Sequence, residues 1–368
     1  MRPLCWLTSL LVLMPIPMLG QSLHENSGPW VMERSGTPAG LRGIHAVGGG
    51  VAWASGTNGT VLRTEDGGYE WQSCAMPPGA EKLDFRGIWA WDDNTAIVMS
   101  SGPGDASRLY KTTDGCSHWE LVFTNPDKDG FWDALVFRSR QRGYLLGDPV
   151  GGRFAFFTTA NGGETWSRSA AMGLRAKPDA SGAFAASNSS LLGSGREPVG
   201  FGTGGAWYYW QAFSGAIAPP MKPGMPIKMT EQWNRAPVPL AKDGDAAGIF
   251  SLGWHDGEVV GHGFRLVAVG GDYSKPNDSA GTAAWSDDGG KTWTAAAKPP
   301  HGYRSAVTWD ATSKAWIAAG TNGSDISYDD GKTWVALDNA NWNALSLPWV
   351  VGPDGRIAKL DAGKLKGQ

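Results

Sequence analysis

Three arginines, Arg42, Arg86 and Arg304, and two indoles, Trp132 and Trp342, stand at the starts of short apolar segments, with Asp133 and Asn343 just behind. A guanidinium binds carboxylate or phosphate through paired N–H donors and stacks on aromatic faces. A surface gathering these side chains suits a carboxylate, a phosphate, a sugar or an acidic peptide. Turn phrases add acids and a phenol: GDP at Asp148, FGTGG over 201–205, and GGDYSKP with Asp272 and Tyr273. Plainer roles compete. An arginine beginning a strand can pair with one of the 35 acidic residues, and an aspartate in a turn ordinarily caps backbone N–H groups.

Other chemistries find little support. Six histidines, at 24, 45, 118, 255, 262 and 301, form no cluster with zinc-ligand spacing, and no metal or cofactor is expected. There is no G-x-S-x-G elbow, no P-loop and no GxGxxG leading from a strand into a helix. The glycine-rich VGFGTGG precedes a strand, so it lacks the helix N-terminus that cradles phosphate. A formal net charge of −3 gives no electrostatic reason to expect nucleic acid. No catalytic residue is assigned, and the chain reads first as a binder.

The first twenty residues carry one positive charge at Arg2, then an apolar run from Leu4 to Leu19 broken by Pro15 and Pro17. A membrane span needs about 20 apolar residues. The pattern is that of a signal peptide, with cleavage expected after Gly20, export to the periplasm or medium, and no transmembrane helix left in the mature chain. Cys74 and Cys116 remain as an even pair, open either to a disulfide or to burial as free thiols.

The elements that position these groups come from an internal repeat. Five segments share one pattern: TEDGGYEW ending at Trp71, TTDGCSHW at Trp119, TANGGETW at Trp166, SDDGGKTW at Trp293 and SYDDGKTW at Trp334. In each, Asp66, Asp114, Asn161, Asp288 or Asp329 bonds backbone N–H groups. Glycine supplies positive φ, a hydroxyl closes the turn, and the indole enters an apolar layer. Trp30 and Trp233 repeat the indole and its strand without the turn. The seven markers are separated by 41 to 67 residues, and each unit reads as four strands divided by Gly-Gly, Asn-Gly and Asp-Gly hairpins.

Repeated four-stranded antiparallel units predict an all-β, seven-bladed β-propeller over residues 21–368. After Trp334 the chain offers NALSL, PWVVG and RIAKL, three strands lacking a fourth. The N-terminal WVMER supplies it, closing the ring and removing unpaired edges. The starts of the innermost strands then share a channel mouth with the turns at Asp148 and Asp272, and the repeat turns occupy the opposite face. In blade 4 a Pro- and Met-rich insertion, about 212–230, replaces the repeat turn.

The repeat is the Asp-box, or BNR, motif. Through it and through RGI at Arg42 and Arg86, LLGDPVGGRF from Leu145, FGTGG from Phe201, AGIFSLGW from Ala247 and VAVGGDYSKP from Val267, the chain resembles a bacterial branch of the photosystem II stability/assembly factor-like family. That resemblance implies a seven-bladed propeller that binds a protein partner through an arginine-rich patch, here carried by Arg42, Arg86 and Arg304. Sialidases also carry Asp-boxes, and their chemistry needs an arginine triad, a Tyr/Glu pair and an acid. Tyr273 and Asp272 answer in part, but Arg-Ile-Pro is absent and no Glu falls in a matching column. A general glycosidase needs two carboxylates roughly 5–9.5 Å apart, for which Asp133 with Asp148 or Asp272 are the candidates.

Overall fold

The computed structural model describes residues 28–178, 182–195, 198–213, 231–256 and 264–367. The expected leader, 1–20, and the expected insertion beyond Phe213 lie outside these residues. Seven sheets, each of four antiparallel strands, form the propeller. Their innermost strands begin with Leu41–Gly48, Phe85–Ala90, Trp132–Phe137, Leu191–Leu192, Ala247–His255, Ala306–Asp310 and Ala344–Ser346, in blades 1 to 7. Blade 7 closes the ring as expected: Trp30–Glu33 pairs antiparallel with Ile357–Leu360, Trp30 opposite Leu360. Outer strands of only two residues in blades 1, 3 and 5 leave little exposed edge for another chain to pair with.

Packing follows from the blade arrangement, in which each sheet presents both faces to its neighbours. Seven apolar clusters fill the seven interfaces between blades. Ile44 packs in the cluster joining blades 7 and 1, Ile88 in that joining 1 and 2, and Leu135 in that joining 2 and 3. Leu191, Leu252, Val307 and Leu345 do the same around the remainder of the ring. Stability is therefore spread around the ring, and each inner-strand aliphatic residue locks its blade to the one before.

All five repeat turns share one hydrogen-bond pattern. In blade 1, Thr64 Oγ1 donates to Asp66 Oδ1 at 2.9 Å and accepts the Gly68 N–H at 3.0 Å, while Asp66 Oδ1 accepts the Glu70 N–H at 3.0 Å. Asn161 reproduces these bonds with its amide oxygen, which is why it can replace aspartate. Cys116 stands where the other turns have glycine, adopts φ of 65°, and forms a disulfide with Cys74. The bridge joins the outer part of blade 1 to blade 2.

Candidate functional site

Inner strands point one edge at the channel, so the groups that reach it are set by where that edge is interrupted. In blades 1, 2, 3 and 5 the pairing of first and second strands slips by one residue at the same height, around Arg42, Arg86, Asp133 and Phe250. A bulge of this kind re-aims the extra side chain. These four residues, with Ser305 and Asn343 at the same level, form the channel-mouth ring.

The residue before each of these six positions has another task. Leu41, Phe85, Trp132, Ile249, Arg304 and Trp342 are essentially fully buried. The backbone N–H groups of Leu41, Ile249, Arg304 and Trp342 cross to the preceding blade, bonding the carbonyls of Gly352, Thr203, Gly270 and Gly320 at 3.0–3.1 Å. This corrects the expected mouth column at three positions. Trp132 stacks on Phe123 with ring centres 5.2 Å apart. Trp342 donates from Nε1 to Asp338 Oδ2 at 3.0 Å. Arg304 donates from Nε to Asp325 Oδ2 at 2.6 Å and from Nη1 to the Tyr303 carbonyl at 2.6 Å, and its Nη2 also reaches Asp325. All three are wall residues, and the shared arginine patch reduces to Arg42 and Arg86.

Those two arginines flank one carboxylate. Arg86 Nε donates to Asp84 Oδ2 at 2.8 Å, and Arg42 Nε lies 3.9 Å from Asp84 Oδ1, too far for a hydrogen bond. Both remain about a third exposed. Beside them stand Tyr303, Tyr273, Phe250 and Phe184. Phe184 stacks on Phe250 with centres 3.7 Å apart, and Phe250 meets Tyr303 edge-on at 4.8 Å. Burial, then the neighbouring Tyr273, raises the Tyr303 pKa and keeps its phenol neutral. Tyr273 is half-exposed, whereas Asp272 is spent on its own turn, accepting the Ser274 N–H at 2.9 Å and pairing with Lys275 at 3.2 Å.

Asp133 and Asp148 form an acidic pair in the buried wall of this mouth. Asp133 is 1% exposed and its Oδ2 has no hydrogen-bond partner. Burial, then the charge of Asp148, pushes its pKa well up. Burial raises Asp148 to about 6, opposed by the Ala183 N–H donated to Oδ1 at 2.9 Å. Gly182 lies against that carboxylate so closely that any side chain there would collide with it.

Gly182 to Ser190 makes a strap across the channel, the feature that the sequence reading missed. Arg86 Nη1 donates to the Ala185 carbonyl at 3.2 Å. Ser187 Oγ donates to the Ser305 carbonyl at 2.6 Å. Asn188, at φ of 64°, accepts the Leu135 N–H at 2.7 Å and returns its amide to the Leu135 carbonyl at 2.9 Å. Ser189 Oγ meets Ser251 Oγ at 2.7 Å, and its carbonyl accepts the Leu252 N–H at 2.9 Å. The strap thus pairs inner-strand edge groups that would otherwise face the channel unpaired.

Beyond the strap, on the repeat-turn face, the channel opens into a cavity of about 1060 Å³ that reaches from Ser187–Ser189 to Asp329, Asp330 and Lys332. Among the described residues no group of three or more His, Cys, Asp or Glu is placed to hold a metal ion, and no helix is long and apolar enough to cross a membrane.

Ring closure, blade count and strand order define a seven-bladed β-propeller whose channel is divided by a strap. No family model and no curated protein matches the chain. Among solved structures, YCF48 bound to D1 peptide is similar with a TM-score of 0.57 at 15% identity, covering 90% of this chain and 94% of that one. YCF48 from Cyanidioschyzon merolae gives a TM-score of 0.57 at 17% identity, covering 90% and 98%. The WD40 β-propeller domain of Doa1 gives 0.55 at 11%, also covering 90% and 98%. Likeness at such identities establishes the propeller fold.

Proposed function

We propose that this chain is an exported, non-catalytic propeller of the photosystem II assembly factor-like, Asp-box kind, a binding scaffold whose partner is a protein segment carrying acidic groups. The observation that carries this reading is the delivery of Arg42 and Arg86, by bulges at one height, to a shared carboxylate beside the exposed Tyr273. Two guanidinium groups next to aromatic surface can take a carboxylate and the apolar side chain beside it. The propeller of YCF48, a protein whose solved structure holds a D1 peptide, supports a peptide-binding role for this architecture. The Cys74–Cys116 bridge agrees with an oxidising compartment, periplasmic or extracellular.

The test is capture. Tagged mature protein incubated with membrane and soluble extract should retain a partner that the double variant Arg42→Glu, Arg86→Glu releases. Equal retention by both proteins would refute the proposal.

A second reading, glycoside hydrolysis, draws on Asp133 and Asp148, whose raised pKa values suit a proton donor. The burial of Asp133 and the strap bonded to Asp148 weigh against access by a sugar. Turnover of a glycoside panel, abolished by Asp148→Asn, would establish this activity instead.

A further inference from the structure

The cavity on the repeat-turn face lies on the other side of the strap from the arginine mouth. It is closed at its inner end by Ser187–Ser189, so whatever enters does so end-on. Its depths are lined by the indoles of Trp89, Trp254 and Trp309, by imidazoles and by the hydroxyl-bearing Ser189, Thr308 and Ser346. Trp309 lies nearly parallel to His255, ring centres 4.0 Å apart, and Trp89 packs against His45 at 4.2 Å. His45 Nδ1 accepts the Ala90 N–H at 3.3 Å, and burial lowers its pKa to about 4, leaving the ring neutral.

Charged lining residues belong to the outer rim, Arg265 at the start of its strand and the rest in loops and turns. Among the described residues they are Asp256, Arg265, Lys314, Asp329, Asp330 and Lys332, as many bases as acids. Arg265 is committed to Asp287 at 3.2 Å and approaches Asp330 at 3.8 Å, and Asp330 Oδ1 meets His255 Nε2 at 3.0 Å behind the Trp309 indole. A charged group pushed into the interior would lose hydration, and Arg265 and Asp330 are already engaged with Asp287 and His255. That argues against a peptide end, which carries an ammonium or a carboxylate. The mixture of hydroxyls and imidazoles argues against a lipid tail. What remains is a molecule with no charged terminus, apolar C–H faces for indoles and hydroxyl edges for hydrogen bonds.

We propose that this cavity receives the end of a neutral oligosaccharide, stacked against the Trp309 and Trp89 indoles over a floor formed by Ser187–Ser189. Its volume is at the upper end of small-ligand sites, about 300–1,000 Å³, and accommodates several sugar rings.

The experiment is calorimetric titration of the full mature chain with maltohexaose, cellohexaose, xylohexaose, mannohexaose and chitohexaose, with hexagalacturonate as the anionic control. At least one neutral hexasaccharide should bind with Kd below about 1 mM. Trp309→Ala should weaken it at least tenfold, Trp309→Phe should retain most of it, and Arg42→Glu, which leaves the Arg86 bond to the strap in place, should leave it unchanged. Should Trp309→Ala fail to fold, Thr308→Trp, which fills the cavity without removing a wall, must abolish binding. The proposal is overturned if no neutral sugar binds, if hexagalacturonate binds more tightly, if binding survives Thr308→Trp, or if it is lost with Arg42→Glu.

Discussion

Arg86 Nη1 donates to the carbonyl of Ala185, 99 residues away in sequence, at 3.2 Å, while its Nε holds Asp84. One planar guanidinium therefore fixes the strap to blade 2 and presents charge at the mouth. A lysine ammonium has the charge but not the fork. Arg86→Lys should increase amide hydrogen exchange across 183–189, whereas Arg42→Lys, whose arginine makes no strap contact, should not. Equal protection in the two variants would dissociate Arg86 from strap position.

Arg304 behaves as a buried ion pair, not as a ligand-binding arginine. Its removal leaves Asp325, itself 1% exposed, with only the His301 imidazole to offset its charge. Breaking such a pair costs about 3–5 kcal/mol, whereas replacing both members by apolar residues costs far less. In urea denaturation, Arg304→Met should be strongly destabilised, the double variant Arg304→Met, Asp325→Leu much less so, and Arg42→Met altered by no more than about 0.5 kcal/mol. A mild single Arg304 variant would contradict the wall assignment.

The fold was legible because its signals are local. Hairpin glycines, the five Asp or Asn turns and the seven tryptophans each act within a few residues, and WVMER could be placed because three C-terminal strands lacked a fourth. The mouth was harder to read. Aligning Trp132 and Arg304 with Arg42 set the frame one residue out, since nothing in the letters marks a bulge. A pattern of large, any, small, aliphatic recovers the true frame: Leu41 to Ile44, Phe85 to Ile88, Trp132 to Leu135, Ile249 to Leu252, Trp342 to Leu345. Asn188 to Leu191 fits it too, with a polar residue in the large position, and that was the available clue to the strap. Its crossing of the channel depends on partners such as Leu135 and Ser305, distant in sequence.

Asn188 is the centre of that crossing. Alanine there leaves both the N–H and the carbonyl of Leu135 without partners inside the channel, at roughly 1–3 kcal/mol for each orphaned group. Asn188→Ala should lower the denaturation midpoint and expose the Leu135 amide to exchange, with Asn188→Asp, which keeps the acceptor, intermediate. Unchanged protection at Leu135 would mean that water replaces the side chain without cost.

The Cys74–Cys116 bridge closes a loop with a sequence separation of 42 residues. Loop-entropy reasoning gives such a crosslink about 4 kcal/mol. Cys74→Ser with Cys116→Ser should therefore unfold at clearly lower denaturant, and the wild type under reductant should follow it. If reductant has no effect on the wild type, the bridge contributes nothing to stability.

Asp148 sets a stability trend opposite in sign to that of the repeat-turn aspartates. Its folded pKa is raised from 3.8 to about 6, so the folded state holds the proton more tightly than the unfolded chain. Its contribution is best below about pH 4, declines as pH rises through 6, and is level beyond, a total on the order of 2–3 kcal/mol. Asp133, raised by the same burial and by Asp148, acts in the same direction. Asp66 and Asp114 have lowered pKa values, so their stabilisation is complete above the ordinary carboxylate range and lost only in stronger acid. Between pH 4 and 6 the buried pair should dominate. Asp148→Asn retains an acceptor for the Ala183 N–H, removes the charge that burial penalises and relieves Asp133. Denaturation at pH 4, 5, 6 and 7 should show wild-type stability falling across this range, a much flatter profile for the variant, and the largest gain over wild type near neutrality. Parallel profiles for the two proteins would show that the pair is solvated well enough to ionise freely.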